Sequence, residues 1–154
     1  MAFIFIAATI VGHEENEEAE STSQAEIEKN LGEERIARQD SLFTAINEKY
    51  LVIKPIFKTR CFDCHSQFTE YPWYYKLPVI KGIIDDDIKE GREHLDFSND
   101  FPFPGRGNIL DILNEMKEEI SEGEMPLFSY RLIHWGKTIE GAQRDSVINW
   151  VDES

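Results

Sequence analysis

The five residues Cys61-Phe62-Asp63-Cys64-His65 constrain this chain most, because they place both of its cysteines in one C-x-x-C-H unit. That spacing is the attachment signature of c-type haem. Two thiols on one turn can each add to a vinyl group of the haem and form a thioether bond. The histidine that follows can donate a ring nitrogen to the iron. The sequence therefore predicts one covalently attached haem c, held by Cys61, Cys64 and His65.

Two other uses of a cysteine pair fit this chain less well. A thioredoxin-like redox pair needs a strand–helix–strand context, and no alternating run of strand length surrounds the motif. A zinc site needs four ligands, whereas Cys61, Cys64 and His65 are cramped and no second cluster of cysteine or histidine follows.

The charge of the chain limits its partners. Its 154 residues carry a formal net charge of −14, which excludes nucleic acid, since phosphate binding needs a basic face. We expect redox protein partners with basic docking surfaces, which an acidic chain would attract. The length fits one domain plus a tail: an apolar N-terminal segment (1–12), an acidic linker (13–39) and a haem-binding domain (40–154).

The N-terminal segment bears on localisation. Residues 2–11 form an apolar run that is too short to span a bilayer but long enough for the hydrophobic region of a signal peptide. A basic start and a clear cleavage site are missing, and the alternatives are a truncated export signal, a membrane anchor or a buried N-terminal segment. We favour the remnant of an export signal or an anchor. Because haem is attached covalently after export, we expect a periplasmic or outward-facing protein, with membrane association through the N-terminus.

Helical periodicity without strand patterns predicts an all-α domain. The acidic linker should be partly helical after Ala25. Pro55 should then kink or end the helix that precedes the haem motif. The predicted helices are one capped by Asp40 or Ser41, one from Pro78 to near Gly91, one from the cap Asn108 to Gly123, and one from Ile139 to Asp152 with Thr138 as its cap.

The second axial ligand decides the chemistry of a haem, because an electron carrier needs six iron ligands. Met125 follows a helix end on a loop stiffened by Pro126, and local sequence leaves open whether it is a ligand or an ordinary turn residue. Met116 lies on the apolar stripe of its helix and is expected to fill the core. His94 is the alternative ligand, with His134 less favoured.

Aromatic and basic side chains are candidates to support the haem. Trp73, with its neighbours Tyr74 and Tyr75, could line the pocket or donate a hydrogen bond to a propionate. Arg60 and Arg92 could neutralise propionates, because a guanidinium matches carboxylate geometry.

Four longer segments make the assignment more specific: residues 61–66, 71–74, 90–98 and 122–126. Together they resemble the bacterial cytochrome c-like haem-binding domain family. The resemblance covers about residues 51–151 and implies a small exported monohaem protein of cytochrome c type, whose helical domain wraps around the haem. It also implies His65 as proximal and Met125 as distal ligand.

We therefore expect a carrier of single electrons between redox partners, and no enzyme. The rival hypothesis is a haem-based sensor or enzyme for gases or peroxide, in which Met125 is absent from the iron or readily displaced. A third is a haem-bearing module that serves mainly to bind a larger complex.

Overall fold

The computed structural model describes the backbone of residues 14–154 and the side chains of residues 23–154. The apolar segment expected at residues 1–12 lies outside the described residues. The described chain is all-α, as predicted, and its one β-type contact is an isolated bridge between Leu95 and Gly105. Its helices are α1 (Glu14–Arg60), α2 (Phe62–His65), a 3-10 helix (Trp73–Lys76), α3 (Pro78–His94), α4 (Ile109–Glu122), α5 (Phe128–Ile133) and α6 (Ala142–Asp152).

The described chain divides into two units, which meet in sequence at Leu42 and Phe43. In the first unit the residues from Glu14 onward are helical, whereas the sequence predicted only partial helix after Ala25. The residues of this unit whose burial the structure describes are exposed, apart from the half-buried Gly32. None of the described helices combines the length and the apolar character needed to cross a membrane.

The second unit, residues 43–154, has a largely aromatic core. Tyr50 and Phe57 project from α1 and contact Trp150 of α6, with ring centroids 5.7 Å and 6.2 Å away. The segment between α3 and α4, rich in proline and glycine, contributes three buried rings to the same core: Phe97, Phe101 and Phe103. This loop is therefore part of the packed interior.

The end of α1 differs from the prediction. Pro55 lies inside the helix, which continues to Arg60 and delivers the chain directly to Cys61. A proline removes one backbone donor, but the neighbouring backbone bonds can persist when tertiary packing holds the helix. The buried Phe57 supplies such packing, and the hydroxyl of Thr59 donates to the carbonyl of Pro55 at 3.0 Å.

Three other helix limits also differ. The cap predicted at Asp40 or Ser41 is absent, because both residues lie within α1. Helix α3 passes Gly91 and ends at His94, since this glycine has no positive φ and faces the backbone of Cys64. Helix α6 begins at Ala142, after Gly141 with φ 55°, so Ile139 packs in the core ahead of it.

Helix α4 confirms its prediction at both ends. The side chain of Asn108 accepts hydrogen bonds from the backbone of Leu110 and Asp111, and Asp111 completes a capping box. Gly123 ends the helix in the left-handed conformation, with φ 76°. The apolar stripe between these ends is buried and includes Met116.

Candidate haem site

One cavity in the second unit brings the predicted ligands together. It has a volume of about 530 Å³, within the range of small-molecule sites in proteins, and Cys61, Cys64, His65 and Met125 all line it. The remaining walls are mainly apolar side chains from α3, α4 and the region of α5. They include Ile80, Ile83, Ile84 and Ile88 of α3, Ile112, Met116 and Ile120 of α4, and Leu127 and Ile133 near α5.

The turn of α2 places the two cysteines. The backbone amides of Cys64 and His65 both donate to the carbonyl of Cys61, at 3.1 Å and 2.9 Å, so all three side chains belong to one turn. Both thiols are free. Burial, aided by the neighbouring Cys64, raises the pKa of Cys61 to about 12, and burial with Asp87 raises the pKa of Cys64 to about 11. Both are therefore neutral thiols at pH 7.

His65 is oriented by the chain that follows α3. Its Nδ1 lies 3.0 Å from the carbonyl oxygen of Leu95, which can only accept, so Nδ1 carries the proton and donates. Burial lowers the pKa of His65, which keeps the ring neutral. A neutral ring protonated at Nδ1 has its lone pair on Nε2, the nitrogen that would ligate iron. Leu95 itself is held by its backbone amide, which donates to Gly91 at 2.9 Å.

Met125 lies just past the C-terminal end of α4. Its backbone amide donates to the carbonyl of Glu119 at 3.3 Å, and Pro126, which follows it, is buried. Met116 is 7% exposed and belongs to the apolar core, as expected, although it also lines the cavity. The cavity therefore has two thioether sulfurs in its walls, of which only Met125 lies on a loop.

Two further histidines line the same cavity. His94 has Nδ1 at 3.0 Å from Oε1 of Glu115, which fixes its ring to α4. The Nδ1 of His134 donates to the carbonyl of Tyr130 at 3.0 Å, and its Nε2 lies 3.0 Å from the hydroxyl of Tyr74. Each of these rings already has a hydrogen-bond partner in the protein.

A polar wall at the cysteine turn was not foreseen from the sequence. Asp63, between the two cysteines, accepts a hydrogen bond of 2.5 Å from the hydroxyl of Tyr130 and lies 3.6 Å from Nζ of Lys137. Burial and this carboxylate raise the pKa of Tyr130 well above its usual range. The sequence carried no signal for the pairing, because Asp63 and Tyr130 are 67 residues apart.

The predicted supporting residues divide into two groups. Arg60 and Tyr74 line the cavity, whereas Trp73, Tyr75 and Arg92 are not among the described side chains that form its walls. Trp73 is 79% exposed, and Arg92 is bound to Asp96 through two of its nitrogens. Trp73 and Arg92 therefore stay predictions as haem-supporting residues, and the structure places neither on the wall of this cavity.

The residues present fit a haem. Two free thiols and a neutral histidine lie on one turn at the wall of an apolar cavity. The buried Nε of Arg60 has no hydrogen-bond partner among the described residues. A guanidinium with an unused donor on the wall of this cavity matches the carboxylates that a haem carries as propionates.

Residues 23–153 match the Haem-binding domain family. The chain belongs to this family. It is also similar to cytochrome c peroxidase Ccp of Escherichia coli (strain K12), with 24% identity over 119 residues that make up 76% of the chain. The chain spans only 26% of the length of that relative. No solved structure matches the chain.

Proposed function

We propose that the protein carries single electrons through one haem c, bound covalently by Cys61 and Cys64 and ligated by His65 and Met125. One observation carries this proposal: all four side chains line a single, largely apolar cavity. The helices around the cavity would then wrap the haem. A bound haem supplies a one-electron couple at its iron, and ligation by histidine and methionine raises its reduction potential.

The chain's own residues would tune this couple. The carbonyl of Leu95 accepts from Nδ1 of His65, which fixes the ring and raises the basicity of Nε2. The isoleucines that line the cavity from α3 and α4 would surround the haem with apolar side chains. Arg60 is placed to donate its unused Nε to a propionate, a role for which Arg92 is less suited because Asp96 already engages it.

The proposal also covers the localisation of the protein and its partners. Attachment of a haem through thioethers takes place after export, so we place the protein in the periplasm or on the outward side of a membrane. The apolar segment at residues 1–12 would then serve in export or membrane attachment. The partners would be proteins that donate and accept single electrons.

A second candidate function is a haem enzyme or sensor that uses peroxide or a gas. The similarity to a protein named cytochrome c peroxidase favours it. It requires an iron position that an external molecule can reach, so Met125 would have to be absent from the iron or easily displaced. The two proposals therefore differ in the strength of the bond from Met125 to iron.

The rate at which carbon monoxide binds to the ferrous haem-loaded protein distinguishes the electron carrier from the haem enzyme or sensor. Electron carriage predicts slow binding in the wild type, limited by release of Met125, and fast binding in Met125→Ala. The matched control is Met116→Leu, a substitution of similar volume that should leave binding slow. Fast binding in the wild type, together with turnover of peroxide, would contradict the electron carrier and favour the enzyme.

A further inference from the structure

Acidic residues are absent from three stretches of this acidic chain. Residues 49–62, 71–84 and 125–139 contain no aspartate or glutamate, although the whole chain has 30. These stretches form the end of α1, the 3-10 helix with the start of α3, and the segment from Met125 through α5 to Ile139. The negative charge is therefore unevenly distributed along the chain.

Basic side chains without a carboxylate partner concentrate in the same stretches. Elsewhere in residues 43–154 most lysines and arginines form ion pairs, for example Lys89 with Glu93 and Lys117 with Asp152. The lysines and arginines of this unit that have no ion pair are Lys58, Arg60, Lys76, Arg131 and Arg144. All but Arg144 lie in the acid-free stretches.

The third stretch is in contact with each of the other two. Nζ of Lys137 donates to the carbonyl of Thr59 at 2.7 Å, which joins the segment after α5 to the end of α1. The hydrogen bond between Tyr74 and His134 joins the 3-10 helix to the same segment. Pro55, Ile56, Thr59 and Arg60 of α1 form a surface depression with Trp135, Gly136, Lys137 and Gln143.

This surface also exposes large apolar side chains beside the haem cavity. Trp73 is 79% exposed and Trp135 is 90% exposed. Phe128, Leu132 and Ile133 of α5 are more than half exposed, and Ile133 lines the cavity as well. Exposed apolar side chains in such a group mark an interaction surface in a soluble protein. We name the α5 surface by its residues: Arg60, Trp73, Lys76 and residues 127–137.

We infer that the α5 surface docks a redox protein whose cofactor is surrounded by acidic side chains. This inference rests on the proposed function, since it identifies where the electron partner binds. The apolar residues would supply contact area, and Lys76 and Arg131, which have no ion pair, would select an acidic rim by charge complementarity. Arg60 also lies on this surface, and its charge is assigned to a haem propionate. Arg60, Leu127, Ile133 and His134 belong to this surface and to the cavity wall, so the partner would lie close to the haem.

Acidic groups border the cavity elsewhere. Glu90, Glu115, Glu119 and Asp87 line it from α3 and α4, and Glu70 lines it ahead of the 3-10 helix. Asp63 lines it at the cysteine turn, where it is paired with Lys137 and accepts from Tyr130. The net charge favours a basic partner surface, and that prediction stays untested. Docking of an acidic partner and docking of a basic partner require opposite signs of electrostatic potential at the docking surface. Small charged reagents can report that sign.

The first experiment measures electron transfer from the ferrous haem-loaded protein to hexacyanoferrate(III), an anion, and to tris(phenanthroline)cobalt(III), a cation, over a range of ionic strength. A basic α5 surface predicts that the rate with the anion falls as salt rises, despite the net charge of −14. Lys76→Glu should lower that rate at low salt by at least about threefold. Lys49→Glu is the control, because its charge change is identical and Lys49 lies outside the α5 surface, paired with Glu153.

A rate with the anion that rises with salt, or that responds equally to Lys76→Glu and Lys49→Glu, would overturn the inference. The proposed function fails in a different measurement: carbon monoxide would bind fast to the ferrous wild type. The sign of the salt effect and the rate of carbon monoxide binding are therefore separate results.

The second experiment tests the partner directly with two blue-copper proteins of similar size, one acidic and one basic at its copper edge. Amide chemical shifts of the haem-loaded protein should change in residues 127–137 on addition of the acidic protein, and Leu132→Glu should weaken that binding by at least about tenfold. Preference for the basic protein would overturn the inference. A dimer of this chain that dissociates on the substitution Leu132→Glu would also overturn the inference, because a second copy would then cover the α5 surface.

Discussion

The two thiols of the haem motif, which belong to half-buried residues, are held in the protonated form by their surroundings. Their pKa values of about 12 for Cys61 and about 11 for Cys64 leave almost no thiolate at neutral pH, and the thiolate is the nucleophilic form. In the folded haem-free protein we expect alkylation by iodoacetamide at pH 8 to be at least about a hundredfold slower than in urea, with Cys64 about tenfold faster than Cys61. Mass spectrometry of the alkylated peptides measures both rates.

The same pKa shifts fix the pH dependence of this protection. A pKa raised by folding means that the folded state holds the proton more tightly. This contribution to stability is therefore complete below the unfolded pKa of about 9 and is lost as the pH rises toward 11 and 12. Alkylation should accelerate about tenfold per pH unit between 7 and 10. A rate that levels off near pH 8 would mean that the folded protein holds a thiolate.

At the scale of single residues, the sequence predicted part of the candidate site. The attachment motif and Met125 could be chosen because each depends on local spacing, and the cavity brings them together. The pairing of Asp63 with Tyr130 depends on contacts between residues distant in sequence, so no local pattern indicated it. Trp73 was selected for its residue type, which carries no information on the direction of its side chain.

At the scale of elements, α3 holds the position of His65. A Cβ at Gly91 would lie 3.1 Å from the carbonyl oxygen of Cys64 and 3.4 Å from Cε1 of His65, whereas one at Gly82 would meet nothing within 4 Å. Both glycines lie in the same helix, where alanine is favoured over glycine by about 1 kcal/mol. We expect Gly82→Ala to raise the free energy of unfolding by about this amount.

Gly91→Ala should not raise the free energy of unfolding in this way, because α2 must shift by a few tenths of an ångström to admit the methyl group. It should also change the visible spectrum of the haem-loaded protein, which Gly82→Ala should leave unaltered. Urea unfolding and absorption spectra of the two variants provide the comparison. Equal stabilisation with identical spectra would show that the packing of α3 against α2 does not position the ligand.

The ends of a helix were predicted correctly where capping residues in the local sequence define them. Asn108 and Gly123 define α4 because a side-chain cap and a left-handed residue are encoded locally. Pro55 misled the prediction of α1, since the packing of Phe57 and its neighbours in the core outweighs the loss of one backbone donor. Helix α5 was missed because its apolar residues face solvent and leave no amphipathic pattern.

For the whole molecule, the division into two units predicts which part binds haem. Among the residues whose side chains the structure describes, the buried hydrophobic ones begin at Ile46, and those that line the cavity all belong to residues 43–154. We expect a chain of residues 43–154 to fold, take up haem and melt within a few degrees of the full chain. Circular dichroism and the absorption spectrum measure both properties. Failure to take up haem would show that residues 23–42, which also match the family, take part in folding.

The central claim is ligation of one haem by His65 and Met125. Its most direct test is the near-infrared absorption of the ferric haem-loaded protein, where a weak charge-transfer band reports a bond from methionine sulfur to iron. We predict this band in the wild type, in Met116→Leu and in His94→Gln, and its loss in Met125→Ala. Absence of the band from the wild type would contradict the claim, and its persistence in Met125→Ala would show that another sulfur holds the iron.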